Sequence, residues 1–213
     1  GWDLTNVTCN DSNGQGNVNS RNAVIQLDPG ETVTCTFTNT QQKGHLIVQK
    51  TTIPSGDQTE FTTNLLDSAG NVISSGPVTE STDKNYEVTP GTYSVTETVP
   101  TGWEQTGNTC TNVAVGAAET KTCEITNTKY GSITIVKDAL PNSSQNFDFD
   151  FATTGNGLSN FSLDDDDTDA TLSNTKTFSN LLPGSYTVTE TSGDFGHWTL
   201  TDLVCTDPTS DSS

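Results

Sequence analysis

The sequence predicts an all-β protein: tandem antiparallel β-sandwiches set in a linear array. Three observations carry this expectation. Apolar residues are few but alternate with polar ones; turn signals fall between the alternating runs; and the runs recur 87 residues apart. Period-2 alternation is what a strand with one face buried requires, and no stretch sustains the 3.6-residue period of a helix.

The elements follow in order. Cys35-Thr36-Phe37, Leu46-Ile47-Val48, Tyr93-Ser94-Val95 and Phe147-Asp148-Phe149-Asp150-Phe151 read as half-buried strands with Thr, Ser or Asp outward. Thr is β-branched and tolerates water, and 40 of the 213 residues are Thr, which suits antiparallel sheets wetted on one side. Between the runs lie Asp28-Pro29-Gly30, Ser68-Ala69-Gly70-Asn71, Pro90-Gly91 and Pro183-Gly184. Pro then Gly fits the centre of a type II turn, where Gly supplies the positive φ.

Composition excludes several functions. The chain carries 27 acidic and 8 basic side chains, a net charge of −19, so a phosphate backbone would repel it and nucleic-acid binding is not expected. No apolar run approaches the roughly 18 residues of a membrane span, and no secretory signal begins the chain, whose first residues read as the middle of a repeat. Low apolar content with this charge borders on the disordered class, but the alternation argues for folding.

The repeat sets the domain boundaries. Gly44–Lys50 aligns with Gly131–Lys137, and Pro90–Thr98 with Pro183–Thr191. Trp2, Trp103 and Trp198 each precede a Cys by seven residues, and Thr34–Thr40 aligns with Thr122–Thr128. The expected divisions are 1–42, the C-terminal half of a repeat; 43–129, a complete one; and 130–213, one lacking its last strand or strands. A window on a longer tandem array explains this. Strand-complemented subunits are the alternative, in which the next copy completes the last domain. The Trp-to-Cys stretch present at both ends weighs against it.

Repeat logic pairs Cys9 with Cys35 and Cys110 with Cys123, closing loops of 26 and 13 residues; each closure contributes about 3 kcal/mol. Cys205 stands where Cys9 and Cys110 do, so its partner lies outside the chain or in a neighbour. Buried free thiols are the alternative; a metal site would need closely spaced Cys or clustered His, and His45 and His197 are isolated. Disulfides imply an oxidising, extracellular setting. Asn6, Asn10, Asn142 and Asn160 head N-glycosylation triplets, which a chain rich in Asn and Thr also makes by chance.

Polar residues fall on core-facing positions. Lys50 shares a face with Leu46 and Val48, as Lys137 does with Ile133 and Ile135; Glu97 follows Tyr93 and Val95, as Glu190 follows Tyr186 and Val188; Asn127 follows Cys123 and Ile125, as Asn39 follows Cys35 and Phe37. Burial lowers an amine's pKa and raises a carboxyl's. A neutral Lys amine could then attack the Asn carboxamide while the Glu moves the proton, releasing ammonia and leaving an amide crosslink. The alternative is exposed strand ends, with the Lys reaching water and the Glu in a solvated ion pair.

The order I-x-V-x-K, then L-x-P-G-x-Y-x-V-x-E-T, then a strand ending T-N-T resembles the Cna B-type, SpaA-like prealbumin-fold domains of bacterial surface proteins and pilins. The match covers the complete repeat and both partial ones. The resemblance implies an Ig-like sandwich and assigns the crosslinking Lys to Lys50, the promoting Glu to Glu97 and the acceptor to Asn127. It assigns Lys137 and Glu190 to the same roles in the last repeat, and Asn39 in the first. The Trp-to-Cys element with its disulfide departs from the usual pattern.

Asp164, Asp165, Asp166, Asp167 and Asp169 form the densest charge run and are a weak Ca²⁺ candidate. A solvated turn that keeps edges from pairing is the blander reading. No other cofactor is expected. Neither a Ser-His-Asp set nor a phosphate loop is present, and Glu97 and Glu190 lie in different repeats. The expectation is therefore a structural, non-enzymatic extracellular stalk, pilus or filament shaft, its only chemistry a single-turnover crosslink. Its partners would be copies of itself or further repeats, head to tail, with a cell-surface ligand elsewhere. The rival, a ligand- or carbohydrate-binding adhesin module, needs exposed aromatics; Trp2, Trp103 and Trp198 recur in register and read as core.

Overall fold

The computed structural model describes residues 1–140, 148–164, 172–192 and 198–207. Every regular element among them is a strand. The chain divides into two compact units, Gly1–Lys129 and Tyr130–Ser213.

In the first unit, β1 (Trp2–Cys9) pairs antiparallel with β4 (Cys35–Gln41), and β2 (Gln15–Asn17) with β3 (Asn22–Val24). The rest is a sandwich of eight strands: β5 (Gly44–Ile53), β6 (Phe61–Leu66), β7 (Val72–Val78), β8 (Lys84–Val88), β9 (Gly91–Thr98), β10 (Trp103–Asn108), β11 (Val113–Val115) and β12 (Thr120–Lys129). One sheet runs β10-β12-β5-β8 and the other β11-β9-β6-β7. Leu46, Val48, Leu65, Tyr86, Val95 and Ile125 fill the space between them.

Among the described residues the strand pairings are antiparallel with one exception: β5 and β12 run parallel, with Lys50 opposite Ile125 and Thr52 opposite Asn127. Alternation gives a strand's faces and not its direction. A parallel pair needs a long crossover, and here residues 54–119 make it.

In the second unit, β13 (Gly131–Val136) pairs with β16 (Thr175–Leu181), while β14 (Phe149–Thr154) lies between β15 (Phe161–Leu163) and β17 (Thr187–Ser192). Phe149, Phe151 and Leu163 are buried there, with Phe161, Val188 and Trp198 packed on them. The strand expected from Phe147 is described from Phe149, Phe147 itself lying outside the described residues.

Turn chemistry holds in part. Gly30 has φ +84° and the Glu31 amide donates to the Asp28 carbonyl at 3.1 Å, closing the expected turn. Gly70 has φ +85° in a hairpin turn where Asp67 Oδ1 accepts the amides of Ala69 and Asn71. Gly91 and Gly184, however, are not among the positive-φ glycines. A different constraint acts there. The Tyr93 hydroxyl folds back to donate to the Thr89 carbonyl at 2.6 Å, and Tyr186 does the same to Leu182 at 2.5 Å. A Cβ on Gly91 would lie 3.2 Å from the Tyr93 hydroxyl, so the small residue makes room for the ring.

Two further expectations are corrected. Phe37, read as half-buried, is 47% exposed, and Trp2, read as core, is 61% exposed. Ile125 at the place matching Phe37 is fully buried, and Trp103 is buried against Phe61. Residues 1–42 contain no equivalent of β5 or β6 to cover that face.

Candidate functional site

The site begins with strand parity. On β5 the side chains of Leu46, Val48 and Lys50 point inward, and on β12 those of Cys123, Ile125 and Asn127; all six are buried. Because β5 and β12 are neighbours, Lys50 Nζ reaches Asn127 Oδ1 at 2.5 Å and lies 3.5 Å from the Ile125 carbonyl. Glu97 comes from the opposite sheet, on β9, next to β6. Its Oε2 lies 2.9 Å from Lys50 Nζ, and its Oε1 accepts from Asn127 Nδ2 at 2.5 Å.

The side chains of Lys50 and Glu97 are 0% exposed. Phe61, at the start of β6, lies under the amine at 4.0 Å from Nζ to ring centroid, and Trp103 meets Phe61 edge-on at 5.4 Å. Sealed this way, the Lys50 amine has its pKa lowered by burial, with Glu97 acting in the opposite sense. One carboxyl thus touches both the amine and the carboxamide nitrogen. That arrangement can carry a proton from a nucleophile to a leaving group.

The other expected residues are placed as follows. Lys137 Nζ lies 3.4 Å from Glu190 Oε1, with side chains 14% and 18% exposed. Phe149 lies under that amine at 4.2 Å, and Trp198 meets Phe149 edge-on at 6.1 Å. Among the described residues no carboxamide completes this pair. Asn39 is exposed on β4. Cys9–Cys35 and Cys110–Cys123 are disulfides, with Cα–Cα distances of 4.0 and 5.1 Å, and Cys205 is free and exposed. Asp164 is buried, and its amide donates to the Ser173 carbonyl. Asp165, Asp166, Asp167 and Asp169 lie outside the described residues. Among the described residues no group of three His, Cys, Asp or Glu is placed to hold a metal.

Sequence reasoning missed Phe61 and Phe149 as floors of the two sites. A signal existed: each opens the strand after one of the two matched Lys, 11 and 12 residues further on. The pairing of Trp103 and Trp198 with these rings is not visible in one dimension.

Residues 44–129 thus form an all-strand sandwich that buries Lys50, Glu97 and Asn127 together. Residues 1–41 match the SpaA-type family model described as a prealbumin-like fold domain. No curated protein matches. Among solved structures, the chain is similar to the Bacillus anthracis TIE protein at 17% identity and TM-score 0.40, covering 79% of this chain and 35% of that one. It is also similar to a streptococcal ancillary pilin at 17% identity and TM-score 0.36, covering 76% and 57%. The shaft pilin SpaA of Lactobacillus rhamnosus GG follows at 11% identity and TM-score 0.33, covering 70% and 87%. The chain thus spans about a third of the TIE protein and rather more than half of the ancillary pilin. These scores are low, and the fold conclusion rests on the strands themselves.

Proposed function

We propose that this chain is a structural part of an extracellular stalk, pilus or filament shaft, built of repeats 1–42, 43–129 and 130–213. Its complete repeat forms a Lys50–Asn127 amide bond promoted by Glu97. The observation that supports this best is the sealed contact of the three side chains, one carboxyl touching both the amine and the carboxamide. Lys50 Nζ bonds to Asn127 Cγ, the bond from Cγ to Nδ2 breaks, and ammonia leaves with the proton that Glu97 took from the amine.

The mechanical logic follows from β5 and β12 being parallel neighbours. Tension entering at Gly44 and leaving at Lys129 shears one strand along the other. A bond between them carries that load past the backbone hydrogen bonds, while Cys110–Cys123 ties β12 to the stretch after β10. The acidic surface keeps long rods apart.

Intact mass of the reduced chain is the test. Loss of one ammonia, mapped to a Lys50–Asn127 branched peptide, is expected; an unmodified mass for the folded chain would overturn the reading.

A further inference from the structure

We propose that Glu80 is a positioning residue for the crosslinking site: it latches the turn between β7 and β8 onto β5 and so keeps water from Lys50, Glu97 and Asn127. The inference rests on the crosslinking chemistry proposed above. Three observations carry it.

The first is where Glu80 reaches. Thr52 is the next inward residue of β5 after Lys50, stands opposite Asn127 on β12 and is 1% exposed. It is the last inward side chain of β5, between the site and the end of the sandwich. Glu80 lies outside the strands, in the turn that the Thr79–Thr82 bridge closes. Its Oε2 accepts the Thr52 hydroxyl at 2.7 Å and also the amide of Gly56, in the connection from β5 to β6. One carboxylate oxygen thus ties both connections to the strand that carries the amine.

The second is what the latch closes. Val78, two residues before Glu80, is buried with Trp103 and with Phe61, the ring under the Lys50 amine. Holding the turn against Thr52 therefore holds this floor against the site. A further contact joins the same two connections, the Ser81 hydroxyl donating to Gln58 Oε1 at 2.6 Å. With these parts in place the side chains of Lys50 and Glu97 have no exposure.

The third is the kind of partner Glu80 has. Among the described residues it makes no ion pair, and Asp57 opposes its charge. The Thr52 hydroxyl and then the Gly56 amide nevertheless hold its carboxyl below the ordinary range. A half-buried acid placed near another acid and held by donors alone fastens backbone segments together.

The crosslinking step needs a neutral amine, and burial is what lowers the Lys50 pKa. The charged group facing Lys50 is Glu97 on β9; Glu80, Asp57 and Lys129 lie beyond Thr52. An open cap would let water solvate the ammonium, returning its pKa towards 10.5, and would loosen the amine relative to the carboxamide.

The test uses the full chain, isolated unfolded in urea before any crosslink forms and diluted into oxidising buffers of rising pH. Intact mass follows ammonia loss, and amide exchange of β6 and β9 peptides reports the folded fraction. E80A is expected to slow the loss about tenfold to a hundredfold at neutral pH and to move its rise to higher pH. E80Q, which keeps the acceptor oxygen, should track the parent. Should E80A not fold, T52V, a buried change of similar volume that removes one donor, carries the same test. A slowing that only follows the folded fraction, with no movement along the pH axis, would overturn the inference, and so would a rate equal to the parent's. In both cases ammonia loss by the parent leaves the crosslink itself standing. A parent chain that folds and keeps its mass would remove both readings.

Discussion

Lys50 and Lys137 occupy matched places in the sequence: each sits over a Phe and faces a Glu. Around Lys50 the pair is sealed at 2.9 Å with no exposure; around Lys137 it is 3.4 Å apart and water reaches both side chains. The two strands share their alternation and their closing Lys, and the clearest difference around the pairs is one neighbour. β12 covers Lys50 and supplies Asn127, and among the described residues nothing does so for Lys137. A reactive environment here belongs to the strand that closes the sheet more than to the strand that carries the amine.

The comparison breaks most visibly on removal of each glutamate. E97A is expected to leave Lys50 buried without its counter-charge and to stop ammonia loss, which for a buried pair costs about 3–5 kcal/mol. E190A, where the pair is wider apart and partly reached by water, should cost less than E97A. Amide hydrogen exchange of peptides from β5 and β13 reads the two effects separately. Equal losses would mean that closure by β12 does not set the difference.

A smaller effect tests how the disulfide and the proposed crosslink share β12. Replacing Cys110 and Cys123 by Ser together should cost about 3 kcal/mol in the E97A chain, where the disulfide alone pins that strand. If the proposed crosslink forms in the parent chain it restricts the same loop, so the same replacement should shift the urea midpoint less there. A loss of equal size in both backgrounds would show that the bonds constrain different parts of the chain.

Much of this was legible from alternation. Parity placed Lys50, Glu97 and Asn127 inward because period 2 is a rigid rule, and the repeat made the same argument at Lys137 and Glu190. Parity also misled: Phe37 and Trp2 obey the pattern but are exposed, because burial needs a partner sheet as well as a face. The parallel run of β5 and β12 was not readable, since alternation carries no direction. Nor was the reason for Pro90-Gly91, where a Tyr hydroxyl two residues on reaches back over the glycine and makes positive φ unnecessary.

The smallest expected effect concerns a contact that residues 43–129 have and residues 1–42 lack at the matched position. Lys129, the last residue of β12, reaches Asp57 in the β5–β6 connection at 2.9 Å; Gln41 stands in its place at the end of β4. The Thr59 hydroxyl and the Lys129 ammonium, with the Thr59 amide, hold the Asp57 carboxyl down to about 2, against 3.8 normally. The folded state thus favours the carboxylate, and between those values the unfolded chain binds more protons. The contribution is fully present above about pH 4 and is lost as pH falls towards 2. D57N should flatten that part of the acid-unfolding curve for β12 while leaving neutral-pH exchange nearly unchanged. An unaltered acid slope would mean that the Asp57–Lys129 contact does not hold the end of β12.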